Sequence, residues 1–216
     1  MTVFKGFTQE DFDTFTIDGL EERMKAIQTR IQPKFQAISE DMLQSLSVRS
    51  GVEMFLHIAR HARRKVNPPV DTWMALANNK RGYKQHPHFQ IGLFDDRVFL
   101  WLAFIYELPN KKEIAEKFLR QASEIKRELP ADIMISYDHM KKDAFSLSDM
   151  DETQWEQGIE RFRDVKKAEL LIGRNIMKDD PVLQDGEQFI RLANETFDRL
   201  LPLYHVSMGI QNLILT

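Results

Sequence analysis

Cysteine is absent from the 216 residues. That one absence excludes a disulfide framework, thiolate metal sites and cysteine nucleophiles together, and it suits a reducing compartment. No run reaches the ~18 consecutive apolar residues that a membrane span requires. The opening stretch MTVFKGFTQEDFDTF lacks the basic segment leading into an apolar one that marks a secretory signal. No Pro/Gly/Ser-rich linker divides the chain, and no internal repeat or low-complexity tract interrupts it. The composition, 43% hydrophobic and 29% charged, is that of an ordinary folded domain rather than a disordered one. These absences predict one soluble, cytoplasmic domain over residues 1–216 with no membrane partner. Its last dozen residues, HVSMGIQNLILT, read as an apolar tail.

What is present is unevenly spread. Residues 57–88 hold seven Lys/Arg, a single acid (Asp71) and four of the six histidines. On a chain of net charge -3 this window is +6, so the remainder carries -9. A basic segment on an acidic chain supplies a local anion site without drawing the whole protein to nucleic acid.

Periodicity places the elements. Leu20, Met24, Ile27, Ile31, Phe35, Ile38, Met42 and Leu46 mark a long amphipathic helix, bent at Pro33. Ser50 and Gly51 then open a second helix, with Met54, Phe55, Ile58 and Ala62 inward, which stops at RRKVNPP. The period changes to two in DTWMALA, HFQIGLF and RVFLWLAFIYEL. Asp95-Asp96 forms a hairpin between the last two, and the third run, apolar on both faces, is a central strand. A helix from Asn110 to Leu129, the strand DIMISYD, a helix capped near Ser148 or Asp151, the strand AELLIGRNI and a final helix complete the order. The expectation is an α+β fold in which a largely antiparallel sheet of about five strands packs with helices.

The candidate chemistry sits mostly in the basic window. On the expected helix HIARHARRK, His57 and His61 fall at i and i+4 like metal ligands, and Arg60 and Arg64 form a second pair. The glutamate of H-E-x-x-H and any third ligand nearby are missing, so no metal is expected there. In KRGYKQHPHF, Gly82 permits a positive φ that turns backbone amides toward an anion. Lys80, Arg81 and Lys84 add charge, and Tyr83 offers a stacking face. The alternative reading of this stretch is a solvated turn whose charge guards a sheet edge. His88 and Gln90 share one face of a strand, with His88 placed to act as an acid, a base or a neutral hydrogen-bond partner. Asp138 and His139 follow a strand end, and Arg174 is a charge within an apolar strand that must reach solvent or an anion. His205-Val206-Ser207-Met208 has the form of a two-histidine phosphoesterase motif, but His88-Phe89-Gln90-Ile91 lacks the hydroxyl its partner motif needs.

The blocks HARRKVNPPVDTW, NNKRGYKQHPHFQIGLF and VKKAELLIGRNI together resemble the YktB-like family of bacterial proteins. The resemblance runs from FTQEDFDTFTIDGLEERM to TFDRLLPLY, nearly the whole chain. It implies an α+β fold and cytoplasmic residence, and it assigns no activity, substrate or cofactor. Beside it stands the residue-level reading: an anionic small molecule or nucleic acid is bound by Arg64, Lys80, Arg81, Tyr83, Lys84, His88 and Gln90, with Arg174 as a further candidate. The rival readings are an enzyme acting on a phosphorylated small molecule with His88 as acid or base, and a non-enzymatic interaction module. No cofactor is implied.

Overall fold

The computed structural model of the chain describes residues 3–210. Its frame is a seven-stranded sheet in the order β1-β2-β3-β4-β7-β5-β6, built from β1 (Phe55–Ile58), β2 (Thr72–Ala77), β3 (His88–Leu93), β4 (Arg97–Phe104), β5 (Met134–Ser136), β6 (Phe145–Ser146) and β7 (Leu170–Met177). Every pairing is antiparallel. The fold class is the expected one, but the sheet has seven strands rather than five. The two extra strands are the edges: β6 has only two residues, too few for any period to show, and β1 occupies the stretch where a second helix was expected.

The change at β1 follows from long-range pairing. Phe55, Leu56, His57 and Ile58 lie opposite Ala77, Leu76, Ala75 and Met74, so a ladder satisfies the backbone that a helix would have satisfied locally. Gly51, expected to open that helix, instead ends the preceding one with a left-handed φ of 73°. The first long helix is continuous. It comprises α2 (Leu20–Ala26), a π-turn over Ile27–Ile31 and α3 (Gln32–Ser50), and it follows the short α1 (Gln9–Asp13). Pro33 lies in the first turn of α3, directly after the π-turn, so the missing amide falls where the helical ladder is already interrupted. The helix expected over 110–129 is two, α4 (Lys111–Leu119) and α5 (Ala122–Glu128), because Gln121 leaves helical geometry at φ -132°. The capping expected before α6 (Glu152–Asp164) is formed by Asp151 and Gln154, each bonding the other's backbone amide.

Alternation along the strands gives the sheet two different faces. In β4, Val98, Leu100, Leu102 and Phe104 point into the large core shared with α3, α4, α6 and α7 (Gly186–Met208). Phe99, Trp101 and Ala103 point into a smaller second core with Trp73, Ala75 and Leu171. This strand is central and apolar on both sides, as its sequence requires. The Trp101 ring lies across the sheet because its neighbour is glycine: a Cβ on Gly173 would stand 1.8 Å from the Leu100 carbonyl and 2.9 Å from the indole. Among the described residues no α-helix contributes a side chain to this second core. It is covered by the loops 59–71, 78–87 and 137–144, and a sheet face roofed by loops is where side chains from distant sequence can converge.

Among the described residues no helix is long and apolar enough to cross a membrane. Of the apolar tail, His205 to Met208 belong to α7, so the HVSM motif is helical and cannot form a phosphate-gripping strand. Residues 211–216 lie outside the described residues.

Candidate functional site

The loop covering the second face starts from an energetic cost. His61 has a φ of 50°, the one positive φ outside glycine among the described residues, which costs roughly 1–2 kcal/mol. Two contacts hold it there: its Nε2 meets Thr72 Oγ1 at 3.1 Å, and its ring meets the Trp73 indole edge-on at 5.6 Å. Burial, with Arg64 and Lys84 nearby, pulls the His61 pKa down to about 4, so the ring is neutral at pH 7. Strain of this kind persists only where surrounding structure enforces it, and it concentrates at functional sites.

A cavity of about 360 Å3 lies beside this loop. Trp73 and Tyr83 line it, with the indole Nε1 donating to the Tyr83 hydroxyl at 2.9 Å. Arg60, Arg63, Arg64 and Lys84 supply charge around it, with the neutral His61 beside them, while Glu107 is the acid in its lining. Lys84 Nζ lies over the Trp73 ring at 5.5 Å. None of the seven Lys/Arg in residues 57–88 forms an ion pair among the described residues. A concave site with several unneutralised cations over an aromatic floor has the chemistry to receive an anion.

The residues singled out in the sequence divide into three groups. Arg64, Tyr83 and Lys84 meet at the cavity. His88 and Gln90 lie behind it: Tyr83 meets the His88 ring edge-on at 5.0 Å, and Gln90 is buried beyond. Lys80 and Arg81 are exposed outside the cavity lining, with Lys80 Nζ over the Phe55 ring at 5.1 Å. Gly82 takes the positive φ expected of it, 68°. Arg174 is remote. It answers the demand for an anion internally, pairing with Asp132 at 2.7 Å.

The histidines of the turn are occupied by structure. His88 Nδ1–H donates to the His86 carbonyl at 2.8 Å, which fixes the tautomer and leaves Nε2 to accept from the Gln90 amide at 2.9 Å. The Asn79 amide donates to His86 Nε2 at 3.0 Å, and His57 Nε2–H donates to the Asn79 carbonyl at 2.7 Å. Burial lowers the His88 pKa to about 3, which makes the ring neutral at pH 7, with desolvation rather than neighbouring cations as the main cause. Fully buried and engaged at both nitrogens, His88 has no atom left for proton transfer with a bound molecule. The stacking expected of Tyr83 is likewise taken internally, by the His57 ring at 4.8 Å. The metal geometry imagined for His57 and His61 at helical spacing disappears, because one is in β1 and the other in the loop beyond it.

Two groups that sequence reasoning underrated also face the second sheet surface. His139, noted only as following a strand end, accompanies Glu169: Nδ1 lies 2.8 Å from Oε2, and the His139 amide donates to the same oxygen at 2.9 Å. Asp138 stands close enough that the three could hold a metal ion between them. Glu169 is the lone acid opening a strongly apolar strand, a signal available in AELLIGRNI. Asp71, visible as the single acid of the basic window, is wholly buried with neither oxygen hydrogen-bonded. Burial raises its pKa to about 6 against the opposing pull of His139, Arg64 and Lys84.

A family model described as "Domain of unknown function (DUF1054)" matches residues 7–204. A UPF0637 protein of Oceanobacillus iheyensis is 56% identical over 203 residues, covering 94% of this chain and 97% of its own. One of Exiguobacterium sibiricum is 54% identical over 198 residues (92% and 96%), and one of Listeria monocytogenes serotype 4a is 50% identical over 205 residues (95% and 98%). With matches of this extent along both chains, the protein belongs to the DUF1054 family, whose UPF0637 members fit the YktB-like resemblance of its central blocks.

Proposed function

We propose that this protein binds a small anionic ligand, bearing phosphate or carboxylate, in the cavity over Trp73 and Tyr83. The observation that carries the reading is that cations line a concave site and none of them forms an ion pair among the described residues. Arg64 and Lys84 make the direct contacts. Arg60 and Arg63 contribute at the rim, and Lys80 and Arg81 act at longer range as steering charges. His88 and Gln90 support Tyr83 from behind instead of touching the ligand. The size of the cavity and the net charge of -3 favour a small molecule over a nucleic acid. A reading in which His88 transfers protons has no geometric support.

The test is calorimetric titration with inorganic pyrophosphate, citrate and a short single-stranded RNA. Arg64→Ala with Lys84→Ala is expected to weaken binding of at least one small anion by ~10–100-fold, the loss of one to two charged hydrogen bonds. Lys80→Ala with Arg81→Ala is expected to change it less than about threefold, since exposed charges are screened. Wild-type affinity in the Arg64/Lys84 variant, or tight binding of the RNA alone, would sink the proposal.

A further inference from the structure

The loop that follows β5 brings a second kind of chemistry to the same sheet face. His139 Nδ1 lies 2.8 Å and 3.0 Å from the two Glu169 oxygens, and Asp138 completes a group whose donor atoms all fall within 4.8 Å of one another. Ligands bound at right angles to one ion, each ~2.1 Å from it, are separated by about 3 Å. The imidazole and carboxylate therefore already stand at the spacing of neighbouring ligands. Both are buried, with side chains 8% and 4% exposed, and the His139 amide donates to Glu169 Oε2 at 2.9 Å. Asp138 is half-buried on the loop. One of its oxygens accepts from the Met140 amide at 2.9 Å, and Lys141 is 3.7 Å away in a solvent-facing pair that a dication would displace.

Cations stand near the group without pairing to Glu169: Lys111 acts on it at a distance, and Lys141, Arg161 and Lys167 line the adjoining cavity. Glu169 pairs with His139 and with no lysine or arginine among the described residues. Asp71, immediately before β2, is a further buried carboxylate in which neither oxygen has a hydrogen-bond partner. Two carboxylates, those of Asp138 and Glu169, thus stand with one imidazole. A cavity of about 450 Å3 opens onto the group, giving an ion a way in and room for water at the remaining coordination positions.

We propose that Asp138, His139 and Glu169 form a binding site for one divalent first-row metal ion. One imidazole nitrogen with two carboxylates is a borderline-to-hard donor set suited to Mn2+, Co2+ or Zn2+. The site shares no ligand with the anion cavity and does not depend on that reading.

The test uses the full chain stripped with a chelator and titrated with CoCl2, MnCl2 and ZnCl2, followed by calorimetry and, for cobalt, visible absorption. One ion per chain is expected, with a cobalt spectrum of nitrogen and oxygen ligation. Affinity should drop by at least ~10-fold in His139→Gln and in Asp138→Asn. Asp138→Asn lies on the loop and keeps a folded control available if His139→Gln disturbs the sheet face. Arg64→Ala with Lys84→Ala should bind the metal as wild type does, which separates this site from the anion cavity. Absence of saturable binding at millimolar metal, or binding unaltered by both ligand substitutions, would overturn the proposal.

Discussion

Replacing His88 with alanine is expected to lower stability by about 3 kcal/mol at pH 7, read from urea unfolding, the sum of a cavity left in a packed interior and two orphaned polar groups. The ring is fully buried between Tyr83 and the strand, and its removal leaves the His86 carbonyl and the Gln90 amide without their partner. The pH dependence carries a second signature. The folded protein lowers the His88 pKa to about 3 from an ordinary 6.5, so the unfolded chain takes up the proton first on acidification. Its stabilising contribution is complete above pH 6.5 and drains away as pH falls toward 3. The alanine variant has no such limb, so the gap between it and the wild type should narrow from pH 7 to pH 4. A loss below ~1 kcal/mol at pH 7 would contradict the structural role assigned here.

The opposite sign is expected at Asp71. Folding raises this carboxyl from 3.8 to about 6, so the native state holds the proton more tightly than the unfolded chain between those values. Stability is therefore greatest when Asp71 is protonated and falls as pH rises through that interval. Asp71→Asn keeps the shape and removes the charge. At pH 8 it should be more stable than the wild type by up to about 3 kcal/mol, two pH units at ~1.4 kcal/mol each. At pH 4 the two proteins should differ by less than ~1 kcal/mol. Equal differences at both pH values, or a variant less stable at pH 8, would show that the buried carboxylate is compensated. A charge retained at such a cost, beside Arg64, Lys84 and His139, fits a site where stability is given up for binding.

Much of the frame was legible in the chain itself. Alternation in DTWMALA and HFQIGLF, double-sided apolarity in RVFLWLAFIYEL and the Asp95-Asp96 hairpin emerge as β2, β3 and β4 in adjacent positions. The hairpin closes with the Phe94 amide donating to the Arg97 carbonyl at 3.0 Å. Capping at Asp151 and the positive φ of Gly82 were local enough to read directly. The candidate site was legible in composition but not in arrangement. The basic window was apparent, whereas its histidines proved to be braces for the turn, and Lys80 and Arg81 fall outside the cavity that Arg64 and Lys84 line.

The sequence by itself determined the strand and helix periods, the class of fold and the concentration of seven cations around one acid. Each of those properties is set by neighbours a few residues apart. The tertiary structure decided which side chains meet. Pairing of 55–58 with 74–77 overrode the helical spacing of His57 and His61, because tertiary context outweighs the weak local preference for helix where a neighbouring strand offers a ladder. Antiparallel pairing of β5 with β7 brought His139 to Glu169, thirty residues away. Burial, a property of the assembled sheet, silenced His88 and left Asp71 charged at a cost. Local pattern fixes what each segment is, and desolvation and long-range pairing fix what each polar residue is able to do.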